Sequence, residues 1–186
     1  MKITLKAILI LALILVAIIA MNFDDDEKLS VDNENSQVVQ ASPVAKNIPN
    51  FTTTTITGET VTEKIFSAKK ITVVNIWGTF CPPCIAEMPE LGNLARALPQ
   101  DAQLIGLVCD ASENSMQIQR AKEILKEAGA DFVNIVPDEQ LLKFMENVEA
   151  VPTTIFINSK GEVVGKAIIG ANVEGCKNEL EKLLND

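Results

Sequence analysis

The sequence predicts an α/β domain in which helices flank a mixed β-sheet. Two observations carry this prediction. Apolar runs typical of buried strands alternate along residues 48–186 with segments of helical periodicity. The last two of these runs are separated only by the turn Asn158–Gly161. Two strands joined by so short a turn must pair antiparallel. The domain is long enough to bury a substantial core, and it contains no internal repeat.

Residues 1–21 are predicted to anchor the chain in a membrane. Lys2 precedes and Lys6 interrupts an apolar stretch, and the acidic run Asp24–Glu27 follows it. At about 1.5 Å per residue the stretch spans roughly 30 Å of hydrocarbon. The charge distribution predicts a cytoplasmic N-terminus and an extracytoplasmic domain. The alternative is a cleaved signal peptide and a secreted domain, but bulky Ile18 stands where the nearest cleavage site prefers a small residue.

A polar segment, residues 22–47, separates the anchor from the domain. It is rich in Asp, Asn, Glu, Ser and Gln and has no sustained helical or strand period, so we expect a flexible acidic tether. The formal net charge of the whole chain is −9. This charge argues against nucleic acids and anionic membrane surfaces as partners.

The first half of the domain is expected to form a hairpin, two strands and a helix. Phe51–Thr62 alternates threonines around a glycine turn and predicts the hairpin. Ile71–Ile76 and Gln103–Val108 are buried-type strands. The helix between them runs to about Leu98, and Pro89 inside it is expected to bend it.

The second half begins with a helix over Ser115–Glu127, which Gly129 ends, and a short strand over Phe132–Val136. The residues expected to face the core from these helical segments are Met116, Ile118, Ala121, Ile124, Leu125, Leu141, Leu142 and Met145. Asp138 is expected to cap the helix that carries the last three.

The C-terminal part of the domain is a strand pair followed by a helix. The predicted strands are Thr154–Ile157 and Glu162–Ile169, and the helix covers Val173–Leu184 with Asn172 as its cap.

The most informative motif is Cys81-Pro82-Pro83-Cys84, which follows a predicted strand and opens a predicted helix. Two thiols at this spacing form a dithiol/disulfide couple. The unpaired N–H groups and the positive end of the helix dipole favour a thiolate at Cys81, so we predict that Cys81 is the attacking nucleophile. Cys84, one turn into the helix, is expected to be less exposed and to resolve the mixed disulfide. The alternative is a purely structural disulfide.

Several kinds of site are excluded by composition. The chain has no histidine, which rules out Cys/His zinc sites, histidine bases and Cys-His pairs. Ile85 follows Cys84, so the motif is not a covalent haem attachment signal. We expect no metal and no cofactor. Cys109 and Cys176 are interpreted as two buried thiols, with a second disulfide between them left open.

These motifs resemble the thioredoxin fold, and more closely its extracytoplasmic, membrane-tethered thiol-disulfide oxidoreductases of the TlpA/ResA type. The resemblance covers residues 48–186 and rests on Asn75–Pro89 and on Val151–Thr154 before the C-terminal hairpin. The helix and strand between Glu113 and Val136 resemble the insertion of this branch. The resemblance implies a thioredoxin-like fold with a central mixed sheet, an N-terminal hairpin and an inserted helix-strand element.

The resemblance also implies roles for individual residues. Pro152 is expected to be cis, leaving backbone groups of Val151 and Thr153 free to pair with an extended substrate. Trp77 is expected to line the same groove, with a place in the core as the alternative.

The buried aspartate of thioredoxin is replaced here by Asn75, and by resemblance Glu87 stands in for it. Glu87 is expected to take up and return the proton of Cys84.

The function implied is that of an extracytoplasmic reductase of disulfides in exported proteins, such as those of cytochrome c maturation. An integral-membrane thiol carrier is expected to supply electrons, and the chain is expected to be a monomer. One alternative is a thiol peroxidase, but its usual Thr or Ser three residues before the reactive cysteine is Gly78 here, and Thr79 is one residue too close. The other is a non-catalytic docking module.

Overall fold

The structure is a computed structural model that describes residues 45–186. The predicted anchor and residues 22–44 of the predicted tether lie outside the described residues. Within residues 45–186, no helix is both long enough and apolar enough to cross a membrane.

The described chain contains seven strands, four α-helices and one 3₁₀ helix. The strands are β1 (Thr52–Thr54), β2 (Thr60–Thr62), β3 (Ile71–Trp77), β4 (Ala102–Val108), β5 (Val133–Ile135), β6 (Thr153–Asn158) and β7 (Val163–Ile169). The helices are α1 (Pro82–Ala97), α2 (Met116–Ala128), α3 (Glu139–Met145) and α4 (Val173–Asn185), and the 3₁₀ helix is Glu63–Ala68.

Five strands form the central sheet in the order β5-β4-β3-β6-β7. β3, β4 and β5 are parallel, whereas β6 pairs antiparallel with both β3 and β7. β1 and β2 form a separate antiparallel hairpin. The predicted mixed sheet, the N-terminal hairpin and the inserted α2–β5 element are therefore confirmed.

Each face of the sheet carries its own core, because alternate residues of a strand point to opposite faces. On one face β3, β4 and β6 pack against α1, α2 and α4. On the other face they pack against α3, the 3₁₀ helix and the N-terminal segment. The 3₁₀ helix was not predicted, and it contributes Phe66, whose ring packs edge-on against Phe51 with centroids 6.1 Å apart.

The predicted helix boundaries are largely confirmed by their caps. Asp138 Oδ1 accepts from the Leu141 N–H at 2.9 Å, and Asn172 Oδ1 accepts from the Gly175 N–H at 2.8 Å. Gly129 ends α2 with φ of +61°, in the left-handed region that glycine tolerates best.

Two predictions of core residues were wrong. Leu142 and Met116 were expected in the core but are 48% and 85% exposed. α3 has only two turns and buries Leu141 together with Phe144, three positions on, so Leu142 falls on the solvent side. The carbonyl of Lys46 accepts from the Val163 N–H at 2.8 Å, so the chain just before Ile48 also bonds to the strand β7.

Candidate active site

The cysteine pair lies at the start of α1, just after the loop that follows β3. Cys81 is the N-cap of the helix, and in this structure it forms a disulfide with Cys84, with Cα atoms 5.3 Å apart. Pro82 and Pro83 fill the first turn, where a missing N–H removes no helical hydrogen bond. The N–H of Cys84 donates to Cys81 Sγ at 3.3 Å, as it would to an ordinary capping side chain. A helix N–H directed at this sulfur favours its thiolate over its thiol.

The two sulfurs differ in accessibility in the predicted order, although both are largely covered. Cys84 is completely buried and Cys81 is 4% exposed. The prominent surface group here is Phe80, which is 67% exposed and immediately precedes Cys81. Its ring folds back over Gly78, where a Cβ would lie only 2.5 Å from Phe80 Cε1. We predicted no role for Phe80 from the sequence. Its position between the end of the strand and Cys81 is the signal that could have identified it as part of the site.

The prediction that Trp77 lines a substrate groove was wrong. Trp77 is fully buried, and its indole N–H donates to Asn134 Oδ1 at 2.9 Å. Gly106 makes room for this bond, since a Cβ there would lie 1.8 Å from Asn134 Oδ1. Trp77 points to the same face as alternate residues of β3, where α1 covers the sheet, and this packing decides its position.

The loop before β6 lies against the disulfide. The Val151–Pro152 peptide bond is cis, as expected, and the carbonyl oxygen of Val151 lies 3.5 Å from Cys81 Sγ. Thr153 is already in register with β3 on one side and β7 on the other. Val151, one of the loop residues named from the sequence, therefore has its carbonyl beside the reactive sulfur.

A carboxylate that the sequence did not reveal fixes the loop before Cys81. Asp110, which follows β4, accepts the N–H of Thr79 at 3.0 Å and its hydroxyl at 2.5 Å. The Thr79 hydroxyl considered for a peroxidase is therefore engaged by Asp110. Burial, and secondly the charge of Asp110, raise the pKa of the neighbouring Cys109 thiol to about 11.

Glu87 lies one turn after Cys84 on α1 and is buried, unlike most helical glutamates. The side-chain amide of Asn75 donates to its Oε1 at 3.0 Å. Burial raises the pKa of the Glu87 carboxyl from the usual 4.5 to about 7, the Asn75 hydrogen bond opposes this, and the charge of Glu90 adds to it. A carboxyl with this pKa can both accept and return a proton near neutral pH.

A polar row crosses the sheet beneath α1. Asn134, Gly106, Asn75 and Thr154 occupy neighbouring positions on β5, β4, β3 and β6. Asn75 Nδ2 also donates to Thr154 Oγ1, at 3.2 Å. The row places neutral hydrogen-bonding groups under Glu87 in an otherwise apolar core.

The remaining two cysteines are free thiols in the described chain. Cys176 is buried on α4, in the same core as Cys81 and Cys84. Cys109 is half-buried and packs against the core on the opposite face. The second disulfide left open by the sequence is therefore not formed, because the sheet separates the two sulfurs.

The arrangement is suited to thiol-disulfide exchange. It combines a disulfide at a helix N-terminus, an apolar exposed surface beside it and a buried carboxyl one turn behind the inner sulfur. No group of three or more Cys, Asp or Glu side chains that could hold a metal ion occurs within residues 45–186.

The chain resembles known proteins over the same region. The sequence profile of the AhpC/TSA family matches residues 44–166. The thiol-disulfide oxidoreductase ResA of Bacillus thuringiensis is 30% identical over 142 residues, covering 76% of this chain and 76% of ResA. The thiol:disulfide interchange protein DsbE of Haemophilus influenzae is 27% identical over 160 residues, covering 85% and 84% of the two chains.

The fold also matches a solved structure. The thioredoxin domain of a thiol-disulfide oxidoreductase from Bacteroides vulgatus superimposes with a TM-score of 0.59 at 20% identity, covering 77% of this chain and 96% of that domain. This match establishes a thioredoxin fold for residues 45–186.

Proposed function

The chain belongs to the AhpC/TSA family and is a thiol-disulfide oxidoreductase of the ResA type, and from that premise we propose that it reduces disulfides of exported proteins at Cys81 and Cys84. The observation that carries the proposal is the position of this disulfide at the start of α1, with the buried Glu87 carboxyl one turn behind Cys84.

The reaction begins with the reduced dithiol. The Cys81 thiolate attacks one sulfur of the substrate disulfide, forming a mixed disulfide and expelling the other substrate sulfur as a thiolate. Cys84 then loses its proton to Glu87 and attacks Cys81 Sγ. This step breaks the mixed disulfide, forms the Cys81–Cys84 disulfide and releases the substrate with both cysteines reduced. The two electrons of the dithiol have then passed to the substrate.

The proposed role of Glu87 rests on its proton affinity. Because the pKa of Glu87 is about 7, both of its forms are populated near neutral pH. The carboxylate can accept the Cys84 proton, and the acid can return it. Glu90 lies on the same helix but is exposed, and it serves as the natural comparison.

The substrate is proposed to bind across Cys81 as an extended segment. The Val151 carbonyl, which precedes the cis Pro152, lies 3.5 Å from the sulfur. The exposed ring of Phe80, the residue before Cys81, is proposed to offer the substrate an apolar contact. Thr153, paired within the sheet, is proposed only to hold this loop in place.

The cellular setting is proposed from the sequence. The apolar, lysine-flanked residues 1–21 support a membrane anchor with the domain outside the cytoplasm, where an integral-membrane thiol carrier would re-reduce Cys81 and Cys84. Cytochrome c maturation is the reductive task that the TlpA/ResA resemblance suggests. A reducing couple, more negative than roughly −220 mV, is the corresponding expectation.

The deciding experiment is covalent trapping on the full chain. Cys84→Ala removes the resolving sulfur, so exported proteins are expected to accumulate as mixed disulfides on Cys81. Cys81→Ala is the matched control and is expected to trap few. If Cys84 were alkylated faster than Cys81 in the reduced protein, the two roles would have to be exchanged. A standard potential near −120 mV would make the protein a disulfide former.

A further inference from the structure

A chain of hydrogen bonds runs beneath the disulfide from Glu87 to β6. Asn75 Nδ2 donates to Glu87 Oε1 at 3.0 Å and to Thr154 Oγ1 at 3.2 Å. All three side chains are buried. Asn75, the hydrogen-bond partner of Glu87, is therefore also bonded to Thr154, a residue outside the cysteine motif.

The orientation of the Asn75 amide decides whether the Glu87 carboxyl faces a hydrogen-bond donor or an acceptor. Both hydrogen bonds come from the nitrogen, whereas Asn75 Oδ1 is buried without a hydrogen-bond partner within residues 45–186. A flipped amide would turn this oxygen toward Glu87, where it could accept from the protonated acid but would repel the carboxylate. The observed orientation favours the ionised form of Glu87, and no bond made by Oδ1 holds it in place.

Thr154 is the group that can hold the amide. Its Oγ1 accepts from Asn75 Nδ2 at 3.2 Å, so a lone pair of the hydroxyl faces the amide in the observed arrangement. Turning the amide over would place Asn75 Oδ1 against this lone pair, and the hydroxyl would have to reorient in order to donate to it.

We propose that Thr154 is a positioning residue that holds the Asn75 amide so that its nitrogen donates to the Glu87 carboxyl. The proposal rests on the proposed function of Glu87 as the proton carrier for Cys84. It assigns a use to Thr154, a buried residue that the exchange reaction does not otherwise employ.

The ionisable groups that act on this pocket are few. Glu90 lies on the same helix and raises the pKa of Glu87, and the charge of Glu87 in turn raises that of Cys176 on α4. Cys84, on α1, is in a disulfide in the oxidised chain and does not titrate. The sheet contributes the neutral side chains of Asn75 and Thr154.

The test is a titration of the Glu87 carboxyl in the oxidised full chain by carbon-13 NMR. The Glu87 resonance is the one that Glu87→Gln removes. Thr154→Val keeps the shape but deletes the hydroxyl, and it is expected to raise the Glu87 midpoint by about 0.5 to 1 pH unit, the range that one hydrogen bond supports. Thr154→Ser restores the hydroxyl and is expected to return the midpoint to that of the unaltered chain. Thr154→Ala, which also lacks the hydroxyl, is expected to raise the midpoint as Thr154→Val does.

Each outcome decides part of the proposal. An unchanged midpoint in Thr154→Val, or equal shifts in Thr154→Val and Thr154→Ser, overturns the role of Thr154. If Thr154→Val does not fold, Thr154→Ala decides the matter by the same criterion. If the Glu87 midpoint moves while the pH profile of exchange does not, the positioning role stands and the catalytic role of Glu87 falls.

Discussion

Gly106 and Asn134 are neighbours in register on β4 and β5, and the absent side chain of Gly106 is what lets the Asn134 amide reach the indole of Trp77. This contact joins the strand that precedes the cysteines to the inserted α2–β5 element. The end of β3 is therefore held from the side, by a hydrogen bond that is completely buried.

Gly106→Ala is expected to destabilise the protein by about 2–4 kcal/mol, because overpacking is added to the loss of a buried hydrogen bond. Chemical denaturation followed by the fluorescence of Trp77, the single tryptophan of the chain, measures the change. In Asn134→Ala the two closest atoms, Asn134 Oδ1 and Cγ, are absent and Trp77 Nε1 at 3.0 Å remains, so adding Gly106→Ala to that variant should cost much less. Equal costs in the two backgrounds would contradict the proposed clash.

Glu87→Gln is expected to slow exchange with a protein disulfide by roughly 100-fold near neutral pH, because the amide keeps the shape but carries no proton. Stopped-flow measurement of mixed-disulfide resolution gives the rate. Glu90→Gln is the matched control on the same helix, and it should change the rate by less than about twofold. Similar rates for the two variants would return Glu87 to a structural role.

The same carboxyl makes stability depend on pH. The folded chain binds the Glu87 proton more tightly than the unfolded chain, because its pKa rises from 4.5 to about 7 on folding. The free energy of unfolding therefore falls as pH rises through this window, by on the order of 3 kcal/mol. Urea denaturation of the oxidised chain, compared with Glu87→Gln at each pH, isolates this contribution. Parallel pH profiles for the two proteins would contradict it.

Phe80→Ala is expected to slow reduction of protein disulfides about 5- to 10-fold while leaving reduction of a small aromatic-free disulfide unchanged, since only the larger substrate reaches the exposed ring. Stability should change by less than about 0.5 kcal/mol. Met116→Ala, another exposed apolar residue, is the control and should affect neither reaction. Equal slowing with both substrates would indicate an effect on Cys81 itself.

Asp110→Asn is expected to loosen the loop before Cys81, because the amide cannot accept from both the N–H and the hydroxyl of Thr79. A loss of about 1–2 kcal/mol of stability is expected. The pKa of Cys109 should also fall, since Asp110 raises it, so alkylation of Cys109 in the oxidised chain near pH 9 should accelerate. Glu113→Gln, an exposed carboxylate nearby in sequence, should change neither quantity.

The sequence predicted the elements that local chemistry determines. Asp138, Asn172 and Gly129 act as caps because a short polar side chain or a glycine at a helix end needs only neighbours in the chain. Thr154–Ile157 and its partner strand followed from the short turn between them. The cysteine pair was identified by its spacing alone.

Long-range packing decided what the sequence could not. Trp77 and Phe80 are three residues apart, yet the sheet buries the first and leaves the second in solvent. Asp110 reaches Thr79 across a separation of 31 residues, which no local pattern reveals. For Glu87, the resemblance indicated the position, while the raised pKa follows from its burial between α1 and the sheet.

The division of the cysteines between the two faces of the sheet bears on how the protein matures. Four cysteines can form six different single disulfides, and three of these include Cys109. In the folded chain Cys109 packs against the core on one face of the sheet, whereas the other three cysteines belong to the core on the opposite face. A pairing that includes Cys109 is therefore expected to open before the sheet can pack fully on both faces.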